Sequence, residues 1–431
     1  MARTRIVATL GPATSSDAMI GALLDAGADV FRLNFAHGTR DDHGRRIDAI
    51  RRLAAGRPVA IVQDLGGPKL RLAAAVRGST GDLVPLALPS TVRAGDPVLL
   101  ADGLMQLEVV DPAHSRVVVG GDIPAGKGIN LPSSRLDIPA LTDKDREDLR
   151  FGIARGVDFV SLSFVRRPAD LDEVKATGVP VIAKIETAEA ARRIQAIVAA
   201  ADGVMVARGD LGVEIPIERV PIVQKELIAL ANQAAKPVIT ATQMLRSMVD
   251  SPLPTRAEAT DVANAVLDGT DAVMLSEETA VGRFPVEAVR IMERIMAEAE
   301  RLLASRAGNA EDDVAGMIAE AAWRMAERVR AKGIVVPTRS GSTARRVARH
   351  RPPVPIVALT PDEAVRRRLS LVWGVTAVTA AWFADTDALL AGFRAPVRGT
   401  RLIPDGARVV VTGGWPFGGP ASTNLVHVTT L

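Results

Sequence analysis

Two apolar stretches of this chain end in complementary charge. Val181 to Glu186 reads VIAKIE and Gly203 to Asp210 reads GVMVARGD, with AEAARRIQAIVAAA between them at helical apolar spacing. Lys184 and Glu186 close the first β-branched run, and Arg208 and Asp210 close the second. An ionised group at a buried strand end costs free energy unless it is paired or used, so these positions point to chemistry. Glu186 and Asp210 are hard oxygen donors, too few for a closed cage, and they suit Mg²⁺ completed by water and substrate oxygens. The alternative is a carboxylate pair neutralised by Arg208. Lys184, with Arg32 from VFRLNFAHG, supplies the fixed positive charge that a phosphoryl group in transit requires. Arg208-Gly209-Asp210-Leu211-Gly212 reads as a turn whose backbone N–H groups offer a place for a carboxylate to dock.

The elements that must position these residues alternate from the start. TRIVATLG is a strand, and SSDAMIGALLDAG is a helix with Ser/Asp before it and Gly after it. DVFRLNFAHG is a second strand, DHGRRIDAIRRLAAG a helix, and RPVAIVQDLGGPKLR a third strand with a Gly-rich loop. The pair Asp41-Asp42 reads as helix N-terminal charge. From Arg71 to Asp137 the helical period vanishes, leaving short Val/Leu-rich runs broken by Gly, Pro and Asp, which indicates an inserted β domain. Strand–helix units then resume until eight strands are counted. Without the insert this region holds roughly 230 residues, near the ~250 typical of a (β/α)8 barrel. An open doubly wound sheet is the alternative. The barrel is preferred because polar residues follow nearly every strand. Beyond residue 305 a second unit, from DVAGMIAEAAWRMAERVRA through NLVHVTTL, reads as a mostly parallel α/β domain with the irregular loop GGWPFGGP near its end.

The expected fold is therefore α/β: a (β/α)8 TIM barrel over 1–70 and 138–304, a small inserted β-barrel lid over 71–137, and a C-terminal α/β domain over 305–431. The strand ends would gather Arg32, Asn34, His37, Asp64, Ser163, Arg166, Lys184, Glu186, Arg208, Asp210, Thr242, Gln243, Ser276, Glu277 and Glu278 at one rim. About half of these are expected to be ordinary rim ion pairs.

Composition narrows the classes. The 431 residues are 48% apolar and 24% charged, a globular balance, and a net charge of +3 with dispersed Lys/Arg gives no case for nucleic acid. With no cysteine, disulfides and thiolate metal sites are excluded, which fits a cytoplasmic location. The opening ARTRIVATLG runs straight into a strand, so no signal peptide is expected, and no apolar run is long enough to span a membrane.

The motifs resemble one family. RIVATLGPAT, VFRLNFAHGT, DLGGPKLR, ADGL, GKGINLP, DFVSLSFVRRPADL, VIAKIET, ARGDLGVEIP, KPVITATQML, PTRAEATDVANAVLDGTDAVMLSEETA and VTGG…TNL are similar, in order, to pyruvate kinase motifs, from about residue 3 onward. The resemblance implies Mg²⁺-dependent transfer of a phosphoryl group from phosphoenolpyruvate to ADP, with Mn²⁺ as a substitute metal. It implies Lys184, Arg32 and Thr242 as catalytic residues, and Gly209, Asp210 and Thr242 as further substrate contacts. Glu186 and Asp210 would hold the metal, and Asn34, His37, Arg71 and Lys127 the nucleotide. A Thr242-linked water chain would protonate the enolate carbon. The resemblance also implies a homotetramer, and it places phosphorylated effectors at Thr338–Thr343 (TRSGST), where the alternative reading is simply a capped helix start.

The chain departs from the family pattern in three places. At the monovalent-cation site Asn34 and Asp64 remain, but Ala36 and Leu65 replace hydroxyl ligands, and Lys69 stands where the family has Glu. An ammonium group is a compact single charge, so Lys69 is expected to substitute for K⁺ and make activity K⁺-independent. LSGET reads LSEET, with Glu277 for Gly. The lid, at roughly 70 residues, is short for the family, which bears on nucleotide closure. Two other readings stay open: a catalytically weak, metabolite-binding regulatory relative, and a Mg²⁺-dependent lyase acting on pyruvate or its enolate.

Overall fold

The computed structural model describes residues 2–101, 103–132, 138–303, 313–415 and 423–431. Eight strands close into a barrel: Arg5–Leu10, Val30–Asn34, Ala60–Leu65, Phe159–Leu162, Val181–Ile185, Gly203–Ala207, Val238–Ala241 and Ala272–Leu275. Each pairs in parallel with the next, and the first with the eighth. Their near-continuous apolar runs are explained by burial on both faces. Ile6 and Ala8 pack outward against the helices, while Val7 packs inward with Val30, Val62, Ile182 and Met205. Register then fixes side-chain neighbours at the rim: Thr9 lies opposite Arg32, and Ser161 opposite Asp64.

The helices start where local chemistry says they should. Thr39 with Asp42, Thr142 with Asp145 and Thr255 with Glu258 form reciprocal capping boxes, so the Asp41-Asp42 charge has the expected place. Two expectations are corrected. AEAARRIQAIVAAA is not one helix but two, Ala188–Arg192 and Ile194–Ala200, broken at Arg193. The Arg208–Gly212 turn is the start of a short helix, Arg208–Glu214, which buries Leu211 and brings Asp210 and Glu214 to one side at four-residue spacing.

Between the third strand and the helix Asp143–Ala154 the insert forms a five-stranded and a two-stranded antiparallel sheet. Both contribute to one core that includes Val76, Val98, Leu107, Val117 and Ile123. The C-terminal unit has a five-stranded sheet, four strands parallel and the last, Thr423–Thr430, antiparallel. Residues 416–420 of the GGWPFGGP loop and the expected boundary near 304 lie outside the described residues.

This C-terminal unit seals the barrel at the end away from the charged strand ends. Leu371 belongs to the barrel's own inner cluster and is fully buried. Beside it, Arg351 makes a buried ion pair of 3.0 Å with Asp271, just before the eighth strand, and Ser370 accepts the Ala60 N–H at 3.2 Å. Leu371→Ala should cost about 2–5 kcal/mol through the cavity it leaves. Thermal unfolding followed by circular dichroism checks this: a melting temperature within a degree of wild type would show that the seal contributes nothing.

Candidate active site

The charged strand ends converge on one buried carboxylate. Asp64, 1% exposed, closes the third strand. Arg32 Nε donates to its Oδ2 at 2.8 Å and a second guanidinium nitrogen bonds the same oxygen. Ser161 Oγ donates to Oδ1 at 2.6 Å, and Lys184 Nζ lies 3.4 Å from that oxygen. Lys184 also donates to Ser163 Oγ at 2.7 Å and pairs with Glu186 Oε1 at 2.9 Å. Burial works against both ionised forms, yet Arg32 and Lys184 hold the Asp64 carboxyl below its usual range, and Asp64 and Glu186 hold the Lys184 ammonium above its own. Lys184 therefore stays protonated. Arg32 also donates to Thr9 Oγ1 at 3.2 Å and keeps donor capacity for an anion.

Glu186 is 1% exposed and accepts the Phe164 N–H at 2.8 Å. Burial, and then the neighbouring Asp210, push its pKa up despite Lys184. Asp210 pairs with Lys69 Nζ at 2.7 Å. Two adjacent carboxylates thus hold two ammonium groups where a divalent cation would give the same compensation. No group of three or more His, Cys, Asp or Glu is placed to hold a metal ion among the described residues. The donor set fits an open site, with Glu186 and Asp210 as the protein ligands and the remaining positions left to water and substrate.

Arg208 plays no part in that neutralisation. Its guanidinium pairs with Asp261 at 2.7 Å and donates to the carbonyls of Ala241 (3.2 Å) and Thr242 (2.7 Å). It thereby holds the end of the seventh strand, where Thr242 and Gln243 sit at φ +67° and +56°. Consecutive non-glycine residues in the left-handed region are costly and concentrate at functional sites. The strain aims Thr242 Oγ1 at the Gly209 N–H, 2.8 Å away.

The other expected residues separate. Asn34 Oδ1 accepts the Ala36 N–H at 3.1 Å, and the carbonyl of the exposed His37 receives His43 Nε2 at 2.8 Å. Arg71 and Lys127 are exposed on the lid, joined through Leu72 N–H to the Lys127 carbonyl (2.9 Å) and Arg71 to the Gly126 carbonyl (3.0 Å). Lys69 departs from the expected cation position: its ammonium is on Asp210, and the Asp64 carboxylate is occupied by Arg32, Lys184 and Ser161. Glu277 turns to Arg246 at 2.7 Å in an exposed pair, and Glu278 is a buried anchor for the N–H groups of Leu245 and Ser276. Arg166 donates to the Ile138 carbonyl at 2.6 Å. Sequence reasoning missed Ser161, Phe164 and Asp261 as supports. The polar positions alternating in FVSLSF were the available signal for the first. Nothing local marks Phe164, which sits at φ +55°.

A second cluster surrounds the start of the Ser342–Ala348 helix. Ser340 and Ser342 line a cavity of about 230 Å³ together with Lys236, Arg345, Arg346 and Arg368. These basic residues were not identifiable from the sequence.

A closed barrel with fixed cations and an open carboxylate pair at its rim has the form of a (β/α)8 enzyme site suited to an anionic substrate. The family model described as pyruvate kinase, barrel domain, matches residues 1–86 and 82–289, and that described as pyruvate kinase, alpha/beta domain, matches 316–429. Pyruvate kinase 2 of Synechocystis sp. is 47% identical over 468 aligned positions, covering 100% of this chain and 79% of the relative. A pyruvate kinase of Geobacillus stearothermophilus is 44% identical, covering 100% and 80%. The crystal structure of a pyruvate kinase from Cryptosporidium parvum superposes with a TM-score of 0.92 at 33% identity, covering 100% of this chain and 96% of that one. The chain belongs to the pyruvate kinase family and is, by that membership, a phosphotransferase. No helix among the described residues is long and apolar enough to cross a membrane.

Asp64→Asn would leave Arg32 and Lys184 buried without their shared counter-charge, a loss expected to be about 3–5 kcal/mol. Because the folded pKa of Asp64 is lowered, its contribution is present above the unfolded carboxyl value and is lost as pH falls through the folded one. Acid titration of stability should therefore show a wild-type loss, beginning below about pH 4, that is shallower in Asp64→Asn. Superimposable profiles would contradict the assignment.

Proposed function

We propose that this enzyme transfers the phosphoryl group of phosphoenolpyruvate to ADP, giving pyruvate and ATP, with Mg²⁺ (or Mn²⁺) held by Glu186 and Asp210. The observation that carries this reading is the buried Lys184 ammonium, held by Asp64, Glu186 and Ser163 beside an open carboxylate pair. As the bridging P–O bond breaks, its electron pair goes to the enolate oxygen, while the phosphoryl oxygens carry their negative charge through the transfer. Lys184 meets that charge without reorganising, and Arg32 offers its remaining N–H groups to the phosphoryl oxygens. The bound cation supplies Lewis-acid polarisation of the reacting oxygens. Gly209, Asp210 and Thr242 border the space in which the carboxylate end of the substrate would be seated, and a water on Thr242 Oγ1 would deliver the proton to the enolate carbon. Asn34, His37, Arg71 and Lys127 serve the nucleotide, the last two from the lid.

K⁺-independence is part of the same reading. Ala36 and Leu65 offer no hydroxyl ligand, and Arg32 and Lys184 already balance Asp64. The departure at Glu277 lends little support to a weak regulatory relative, since that carboxylate pairs with Arg246 at 2.7 Å. The lid and C-terminal unit favour the kinase over a lyase, which needs neither. The domain limits proposed are 1–70 with 138–304, 71–137, and 305–431. A phosphorylated effector would find Ser340, Ser342, Arg345 and Arg346 around one cavity. A cytoplasmic homotetramer is carried over from the family.

Pyruvate release from phosphoenolpyruvate and ADP, followed by a coupled assay, tests the activity directly. Lys184→Met should lower kcat by on the order of 10²–10³ or more with the circular dichroism spectrum unchanged; full activity would sink its role. In Na⁺ buffer free of K⁺, adding K⁺ should leave the rate unchanged within about two-fold, the size of an ordinary salt effect on surface charge. A many-fold activation would overturn the K⁺-independent reading.

A further inference from the structure

Lys69 lies on the strap that joins the third barrel strand to the lid, and its route to Asp210 is narrow. A Cβ on Gly128 of the lid would come within 2.7 Å of Lys69 Cε, so the lysine stem runs against lid backbone. On the other side its ammonium lies 5.8 Å from the centroid of the Phe164 ring, whose backbone N–H is the one held by Glu186. Gly67, at φ +68°, lets the strap pass where a Cβ would meet Phe164 and Ser163 at 3.0 Å.

The two ammonium groups on the carboxylate pair are unequal. Lys184 is buried, with Asp64, Glu186 and Ser163 as partners, and expelling it would strand charge in the barrel. Lys69 is 23% exposed and Asp210 is its one carboxylate partner within ion-pair distance among the described residues. Its side chain also borders a cavity of about 100 Å³ lined by Leu70, Asn130, Phe164 and Glu214. Glu214 already grips the lid there, accepting from Asn130 Nδ2 at 3.2 Å. Lys69 and Glu214 thus line the same cavity, with Glu214 a second carboxylate on its wall.

We propose that Lys69 is a tethered counter-ion that competes with the divalent cation for Asp210 and, on metal entry, swings to Glu214 in the cavity between lid and barrel. Lys69 is then a positioning residue: it keeps Asp210 compensated before metal arrives and couples metal occupancy to the lid's contact with the barrel. The proposal rests on reading Glu186 and Asp210 as the metal-holding pair.

Mn²⁺ binding to the intact enzyme, measured from the free-ion electron paramagnetic resonance signal without substrates, tests it. Lys69→Met should bind Mn²⁺ about ten-fold more tightly, the effect of removing one partly buried ionic competitor. Lys69→Arg, which keeps a cation on Asp210, should stay within about two-fold of wild type. Glu214→Gln should weaken binding in the wild-type background and have a several-fold smaller effect in the Lys69→Met background, because the pair is coupled only through the displaced amine. Unchanged or weaker binding in Lys69→Met, or equal Glu214→Gln effects in both backgrounds, overturns the competition. Binding that survives Asp210→Asn overturns the metal-site reading itself, and the competition with it.

Discussion

Asp64 is the constraint on which the rim depends. A carboxylate with 1% exposure is tolerable only because Arg32, Lys184 and Ser161 converge on it. Those three come from the second, fifth and fourth strands, so their meeting requires the barrel to be closed and in register. The compensation works in both directions. Asp64 holds Lys184 protonated, and Lys184 in turn supports Glu186, whose own burial and nearness to Asp210 work against its charge. One network therefore fixes Arg32 and Lys184 at the rim, while the neighbouring carboxylate, Asp210, draws its compensation from Lys69.

The two ends of the barrel divide the work between them. At one end Leu371 and the Arg351–Asp271 pair close the interior with packing and a buried ion pair. At the other, backbone strain at Phe164, Thr242 and Gln243 is held by Glu186 and Arg208. Strain of this kind persists only where the surroundings over-determine it. The strap at Gly67 to Arg71 is the third mechanical element, connecting the rim to the lid.

Much of this was legible from residue patterns. Eight strand–helix units, an interrupting β region after the third strand and a second α/β unit follow from apolar periodicity and the loss of it, and the Ser before and Gly after the first helix mark its ends. The positions of Lys184, Glu186, Arg32 and Asp64 at strand ends were equally visible, because an apolar run that ends in charge is a local signal. Local pattern failed where helical phase had to be chosen by burial, as at Leu211 and at the break at Arg193.

The sequence by itself determined which groups reach the rim, since strand ends and residue types are written locally. Which cation meets which acid was decided only by the tertiary structure. Arg208, two residues from Asp210, turns away to Asp261, while Lys69, 141 residues away in the chain, takes Asp210. Barrel closure and the path of the strap set those pairings, because ionic interactions depend on distance in space and are blind to distance along the chain.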